Sequence, residues 1–276
     1  MKFLRKALRY FCTTFPVRGR YRLADKLGKV IAPSEVEYID VSGTSMPIDH
    51  SVAMYRYIYY GLYEEHFVNF LKREIRKGDI VIEPGVNVGF ITAVLSGLVG
   101  NNGRIIALEP SKICYNKIKN YLVKPNITLL NKALAEKDGQ ANFTDKDIVI
   151  SHGYSTLSEF TEKEDNDNEY AIDTTSIDSL FASYSLATIR LVKLDIEGAE
   201  LKALQGASNA LSKRAIDFIL VETTFDEKYD SVNREIGELL KGYGYSPFLM
   251  ESNSLVKVDY FSLKNTRHDI IWTYLK

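Results

Sequence analysis

The sequence predicts an α/β fold: a Rossmann-like doubly wound, mostly parallel sheet with an N-terminal helical extension. Three observations carry that prediction. Short apolar runs at Ile80–Glu83, Arg104–Glu109, Ile127–Leu130, Leu191–Asp195 and Ile216–Val221 suit strands buried on both faces of a parallel sheet. Helical patterns near 90–98, 111–122 and 198–211 alternate with them, as right-handed βαβ crossovers require. After the first run, Gly85-Val86-Asn87-Val88-Gly89 forms a glycine turn into a helix, the arrangement that seats a nucleoside at strand carboxyl ends.

The 276 residues allow one large domain or a domain with an added segment. The division expected is an extension over 1–60 and a domain over 61–276. No apolar run approaches the roughly 18 residues that span a bilayer. Two cysteines, Cys12 and Cys114, make neither a disulfide framework nor a zinc site, so the expected setting is the cytoplasm.

Residues 1–30 hold nine Lys/Arg against the single acid Asp25, although the whole chain is at −1. Within them Phe3, Leu4, Ala7, Leu8 and Phe11 fall at helical spacing among basic residues. Such a helix suits an anionic membrane surface or a lipid-linked substrate; the blander reading, preferred on sequence, packs it on its own domain. Charges inside the apolar stretch, with no small-residue cleavage site after it, argue against a secretory signal. The rest of the extension is read as helical, with Tyr55, Tyr57, Tyr59, Tyr60 and Tyr63 crowded together. Residues 63–77 read as an amphipathic helix facing inward with Phe67, Phe70, Leu71 and Ile75.

The polar run Thr161–Glu169 reads as a loop or hairpin tip. Beyond the fifth strand, a helix near Asp230–Lys241, the breaker Gly242-Tyr243-Gly244 and antiparallel strands ending at Ile270-Ile271-Trp272 are expected.

The turn itself selects the ligand. A dinucleotide site needs glycine where Asn87 and Phe90 stand, and no Gly-Lys-Ser/Thr follows to make a P-loop. An acid after strand one, the turn, and Glu109-Pro110 after strand two suit S-adenosylmethionine. Its carboxylate can lie at the helix N-terminus and its ribose hydroxyls can donate to Glu109. A third landmark is Val192-Lys193-Leu194-Asp195-Ile196-Glu197-Gly198-Ala199-Glu200. Asp195 ends an apolar strand, a costly place for a carboxylate without a partner or a task. Glu197 and Glu200 also suit the first turn of a helix, where acids complement its dipole.

These strings, with Gly61-Leu62-Tyr63-Glu64, Gly78-Asp79-Ile80-Val81, Asn131-x-Ala133-Leu134 and Thr175-Ser176-Ile177-Asp178-Ser179-Leu180, resemble the FkbM-type methyltransferases over roughly residues 61–223. The resemblance implies a class I methyltransferase fold that uses S-adenosylmethionine and releases S-adenosylhomocysteine. It places Gly85, Asn87, Glu109 and Pro110 at the cofactor, with Ala133 near the adenine; Glu83 and Gly89 bound the same turn and Asp195 should face the same crevice, so these three join them as cofactor-binding candidates. It also implies O-methylation of a carbohydrate or glycoconjugate hydroxyl. The family usually spells the turn Asp-x-Gly-Ala-Asn; here Glu83-Pro84 leads it, one methylene longer and stiffer.

A sugar hydroxyl needs a base as the new bond forms; the candidates are Asp195, Glu197, Glu222 and His152. Asp195 with Glu222 would begin a magnesium site, but no third carboxylate follows Glu222, and no metal is favoured. The expected partner is a small-molecule or glycan acceptor rather than nucleic acid. Two other readings stay open: a cofactor-binding, non-catalytic sensor or scaffold of a glycan-assembly complex, and a nucleic-acid or protein methyltransferase.

Overall fold

The computed structural model describes residues 1–33, 36–145, 156–160, 168–251, 254–264 and 266–275. The extension begins with helices α1 (Lys2–Thr14) and α2 (Arg20–Val30). It then forms a hairpin, β1 (Glu37–Val41) and β2 (Thr44–Ile48), where helix was expected. Its two-residue turn, Ser42-Gly43, has positive φ at both positions, as a tight hairpin twisted with its strands demands. Helix α3 (Ala53–Tyr59) follows. Buried Arg56 ties the extension together, donating to the His50 and Ser51 carbonyls at 2.8 and 2.9 Å and pairing with Asp25. Arg20 pairs with Glu65 on α4 (Glu65–Glu74) and so joins α2 to the next element.

Helix α4 buries Phe67, Phe70 and Leu71, and Phe70 meets Phe218 edge-on with ring centroids 5.4 Å apart. Burying each such ring contributes about 2–3 kcal/mol.

The alternating part runs β3 (Ile80–Pro84), α5 (Phe90–Val99), β4 (Arg104–Leu108), α6 (Lys112–Ile118) and β5 (Ile127–Leu130). Next come β6 (Ala133–Leu134), β7 (Gly139–Asp145), β8 (Thr156–Leu157) and β9 (Asn168–Thr175). These four form a separate sheet, order β6-β9-β7-β8, which the sequence did not announce. Asn168 and Glu169, expected in a loop, open β9; residues 161–167 of that run lie outside the described residues.

Helix α7 (Ile177–Ser183) leads to β10 (Ile189–Leu194). The single helix expected over 198–211 is two, α8 (Glu200–Gln205) and α9 (Ser208–Ser212). They break at Gly206, where a Cβ would sit 2.6 Å from the Ala135 carbonyl oxygen. β11 (Ile216–Phe225), α10 (Asp230–Gly242), β12 (Ser246–Met250), β13 (Leu255–Lys257) and β14 (Thr266–Thr273) complete the chain.

The main sheet has the order β13-β12-β14-β11-β10-β3-β4-β5. β5, β4, β3, β10 and β11 are parallel, and β14 runs against β11 and β12. One face packs against the extension, α4 and α5, and the other against α7 to α10. From β3 the chain winds outward through β4 and β5, then crosses back to β10 on the other side. The carboxyl ends of β3 and β10 therefore flank a topological switch point, where such sheets open a crevice.

Candidate active site

Strand periodicity builds the site. Val81, Ala107, Leu191 and Leu220 all face the core shared with the extension, whereas Ile82, Ile106, Val192 and Val221 face the other. Side chains alternate across a sheet, so the residue two beyond each of the first four shares its face. Those residues are Glu83, Glu109, Lys193 and Glu222, and all line one cavity of about 320 Å³ at the crevice. Four neighbouring strands thus deliver an ionisable group into one place.

The glycine turn forms the floor. Gly85, Asn87 and Gly89 have φ of 74°, 53° and 71°. Gly85 is pressed against β10: a Cβ there would lie 2.7 Å from the Asp195 carbonyl oxygen. Glu109 fastens the turn from the far side, its Oε2 accepting from Asn87 N at 2.6 Å and its Oε1 from Ser111 N at 2.8 Å. Burial pushes Glu109 up to about 8 against the pull of those two bonds. Asn131 holds the next residues by donating to the Glu109 and Pro110 carbonyls at 2.7 and 3.2 Å. Ala133, Phe143 and Leu157 give the cavity an apolar wall, to which the second sheet contributes.

The opposite end is charged and half-enclosed. Lys193 Nζ donates to Asp195 Oδ2 at 2.6 Å. Burial alone would lower the Lys193 pKa, but Asp195 and Glu64 hold it well above its usual value. Burial pushes Glu83 up to about 8, and its Oε2 has no hydrogen-bond partner among the described residues. Burial likewise raises Glu64 and carries Tyr63 well above the usual phenol range. Asp195, Glu197 and Glu222 each offer an oxygen within 4.8 Å of the others. The third carboxylate thus comes from the turn after β10, not from the residues after Glu222. Among the described residues, three of the six non-glycine residues with positive φ (Glu64, Asn87 and Glu197) line this cavity. Such strain persists only where the surroundings over-determine it, and it gathers at functional sites.

Of the residues expected at the site, Glu83, Gly85, Asn87, Glu109, Pro110, Ala133, Asp195, Glu197 and Glu222 line the one cavity. Gly89 does not: its open position faces Leu122, 2.7 Å from a would-be Cβ, so it serves helix packing instead of ligand contact. His152 lies outside the described residues. Glu200 is structural, accepting from Ile196 N and Gly198 N at 3.0 Å each. Tyr63, Glu64 and Lys193 fell within the strings that carry the resemblance but were given no site role on sequence. The two-residue step from Leu191 would have found Lys193, but the side chains of Tyr63 and Glu64 reach the crevice through folding alone.

Residues 63–247 match the model of the methyltransferase FkbM domain. The chain belongs to the FkbM methyltransferase family. Among its relatives is the hexuronic acid methyltransferase AglP of Haloferax volcanii, 26% identical over 161 residues. That match covers 58% of this chain and 62% of AglP, short of two thirds of the relative's length. A solved FkbM methyltransferase from Methylobacillus flagellatus KT is 15% identical, with a TM-score of 0.42 over 92% of this chain and 59% of that one. Aeropyrum pernix fibrillarin, solved with S-adenosyl-L-methionine, is 13% identical, with a TM-score of 0.40 over 75% of this chain and 73% of that one.

The cavity suits the cofactor that the FkbM family implies. Ala133 gives it an apolar wall that would take a base, and Glu109 an acid that would meet a ribose. At the far end, the buried and unpartnered Glu83 Oε2 complements a cationic group. Helix α5 begins without a side-chain cap, leaving its first N–H groups for an anion.

Proposed function

We propose that this FkbM-family protein is an S-adenosylmethionine-dependent O-methyltransferase acting on a hydroxyl of a carbohydrate or glycoconjugate. The observation that carries the reading is the carboxylate trio Asp195, Glu197 and Glu222 at the charged end of the crevice. A sugar acceptor fits such a rim because carboxylates accept hydrogen bonds from hydroxyls. The hexuronic acid methyltransferase among its relatives supports a hexuronic-acid-containing glycan as the first acceptor to try.

The cofactor, when bound, supplies an electrophilic methyl group. Glu109 would accept from the ribose hydroxyls, Ala133 and Phe143 would flank the adenine, and Glu83 with Glu64 would face the positively charged methionine end. Lys193 holds one Asp195 oxygen, and the Asp195 carboxylate would take the acceptor proton as the acceptor's oxygen–carbon bond forms and the carbon–sulfur bond breaks, which leaves S-adenosylhomocysteine. Such a base is worth about 10²–10⁴ in rate, and much of the remainder is alignment of acceptor oxygen, carbon and sulfur. The trio also offers oxygens of the kind a hard cation takes. Lys193 already brings a positive charge to Asp195.

The deciding experiment has two arms. Calorimetry with S-adenosylhomocysteine should give saturable binding; none at millimolar ligand sinks the cofactor half. Label transfer from methyl-labelled donor to a glycan panel with and without hexuronic acids should then mark an acceptor. Binding without transfer across the panel removes the carbohydrate assignment.

A further inference from the structure

Helix α1 turns Arg5, Leu8 and Cys12 inward. Phe3, Ala7 and Tyr10, spaced i, i+4, i+7, lie on the other side, with Phe3 81% and Tyr10 66% exposed. The preferred expectation, that these apolar residues pack on their own domain, therefore holds for Leu8 and fails for Phe3 and Leu4. Beside the exposed stripe, Lys2, Lys6 and Arg9 repeat the same spacing, the last leaning over the Tyr59 ring.

Helix α2 repeats the design. It buries Ala24 and Gly28 and exposes Leu23, Leu27 and Val30, the last by 74%. Arg22, Lys26 and Lys29 form its basic stripe. In both helices the basic stripe lies about 100° round the axis from the apolar one, by the 3.6-residue turn. The linker adds exposed Phe15, Val17 and Arg18, and Phe15 gathers Tyr10 and Phe11 at 6.4 and 5.6 Å between ring centroids. Among the described residues, ten of the eighteen exposed large hydrophobic side chains fall within the first thirty positions. Of the nine basic residues there, Lys2, Lys6, Arg18, Arg22, Lys26 and Lys29 are exposed, whereas Arg5 is buried against Glu37 and Arg20 pairs with Glu65; the one acid is Asp25. A solvated face would not concentrate both.

We propose that α1, α2 and their linker form a docking surface for an anionic lipid bilayer. The outward aromatic and aliphatic residues enter the interfacial zone while the adjacent lysines and arginines meet headgroup phosphates. Charge selects this occupant. A second copy would set one cationic face against another, and nucleic acid offers phosphates but no use for two aliphatic stripes. No helix among the described residues is long and apolar enough to cross a membrane, so the contact is peripheral. The surface is separate from the methyl-transfer reading and stands or falls without it.

Flotation of the full chain with vesicles tests it, using phosphatidylcholine alone or with about one-third phosphatidylserine. Binding should be at least about tenfold tighter to the anionic vesicles and weaken with salt. The charge-preserving triple substitution Phe3→Ser, Tyr10→Ser, Leu27→Ser should lose about tenfold or more of it. These side chains are exposed, so an unchanged melting temperature would show the variant folded. Absent or lipid-indifferent binding overturns the proposal, as does unchanged binding by the folded triple variant. Salt-sensitive binding to RNA stronger than to anionic vesicles would overturn it in favour of nucleic acid. A dimer abolished by the triple variant, with no vesicle binding, would make this face an interface between copies.

Discussion

Lys193 Nζ lies 2.6 Å from Asp195 Oδ2, on the same strand end and two residues earlier, so the switch-point carboxylate is oriented by its own strand. Lys193 is buried beside Phe67, its Nζ 6.0 Å from the ring centroid. Asp195 is 27% exposed, so losing Lys193 leaves a half-buried carboxylate uncompensated. Lys193→Met should therefore cost about 1–3 kcal/mol of unfolding free energy, measured by denaturant titration. Adding Asp195→Asn should recover more than half of that loss and no turnover. A double variant no more stable than Lys193→Met would show that the pair is not the source of the cost.

Asp195→Asn alone separates binding from chemistry. The amide keeps the shape of the site but is a poor proton acceptor, so kcat should fall about 100-fold or more. The dissociation constant for S-adenosylhomocysteine should move less than about threefold, within the spread of a neutral hydrogen-bond change. Turnover that survives in Asp195→Asn and collapses in Glu222→Gln or Glu197→Gln would pass the base role to that residue.

Glu109 has two duties, since the oxygens that would receive a ribose also hold Asn87 N and Ser111 N. Glu109→Ala should weaken S-adenosylhomocysteine binding by about 10-fold or more, as the loss of two acceptor oxygens beside the ribose requires. It should also lower the melting temperature of the ligand-free protein, because the turn loses its fastening. Weakened binding with an unchanged melting temperature would refute the fastening role.

How much of this was legible follows from the range of each contact. The parallel strands, the glycine turn and the acids Glu83, Glu109, Asp195 and Glu222 were readable because each is a local departure from an apolar run. Val81-x-Glu83 and Leu191-x-Lys193 obey one parity rule, so Lys193 was readable too once strand faces were assigned. Glu64 was not: burial and a positive φ at the start of α4 bring it to Lys193, across more than a hundred residues. The hairpin had its signal, Ile39 and Val41 alternating with polar residues before Ser42-Gly43, but its strands are only five residues each. In the second sheet, β6 and β8 are two residues long and β7 is largely polar, too little pattern to read.

The acidic floor gives the ligand-free protein a distinctive pH dependence. Glu83 and Glu109 have ordinary values of 4.5 and are pushed up to about 8 by burial. Between those values the folded state keeps a proton that the unfolded chain has released. Their contribution to stability is therefore fully present below about 4.5 and lost as pH rises through about 8. The melting temperature should fall across that window, and Glu83→Gln, which cannot ionise, should flatten the fall. A cationic methionine end seated beside Glu83 favours the carboxylate, so cofactor binding should release protons. Calorimetry in two buffers of different ionisation enthalpy near pH 7 reads that release directly. An unchanged pH slope in Glu83→Gln, with buffer-independent binding heats, would mean that Glu83 is already ionised in the free protein and that its burial does not govern the site.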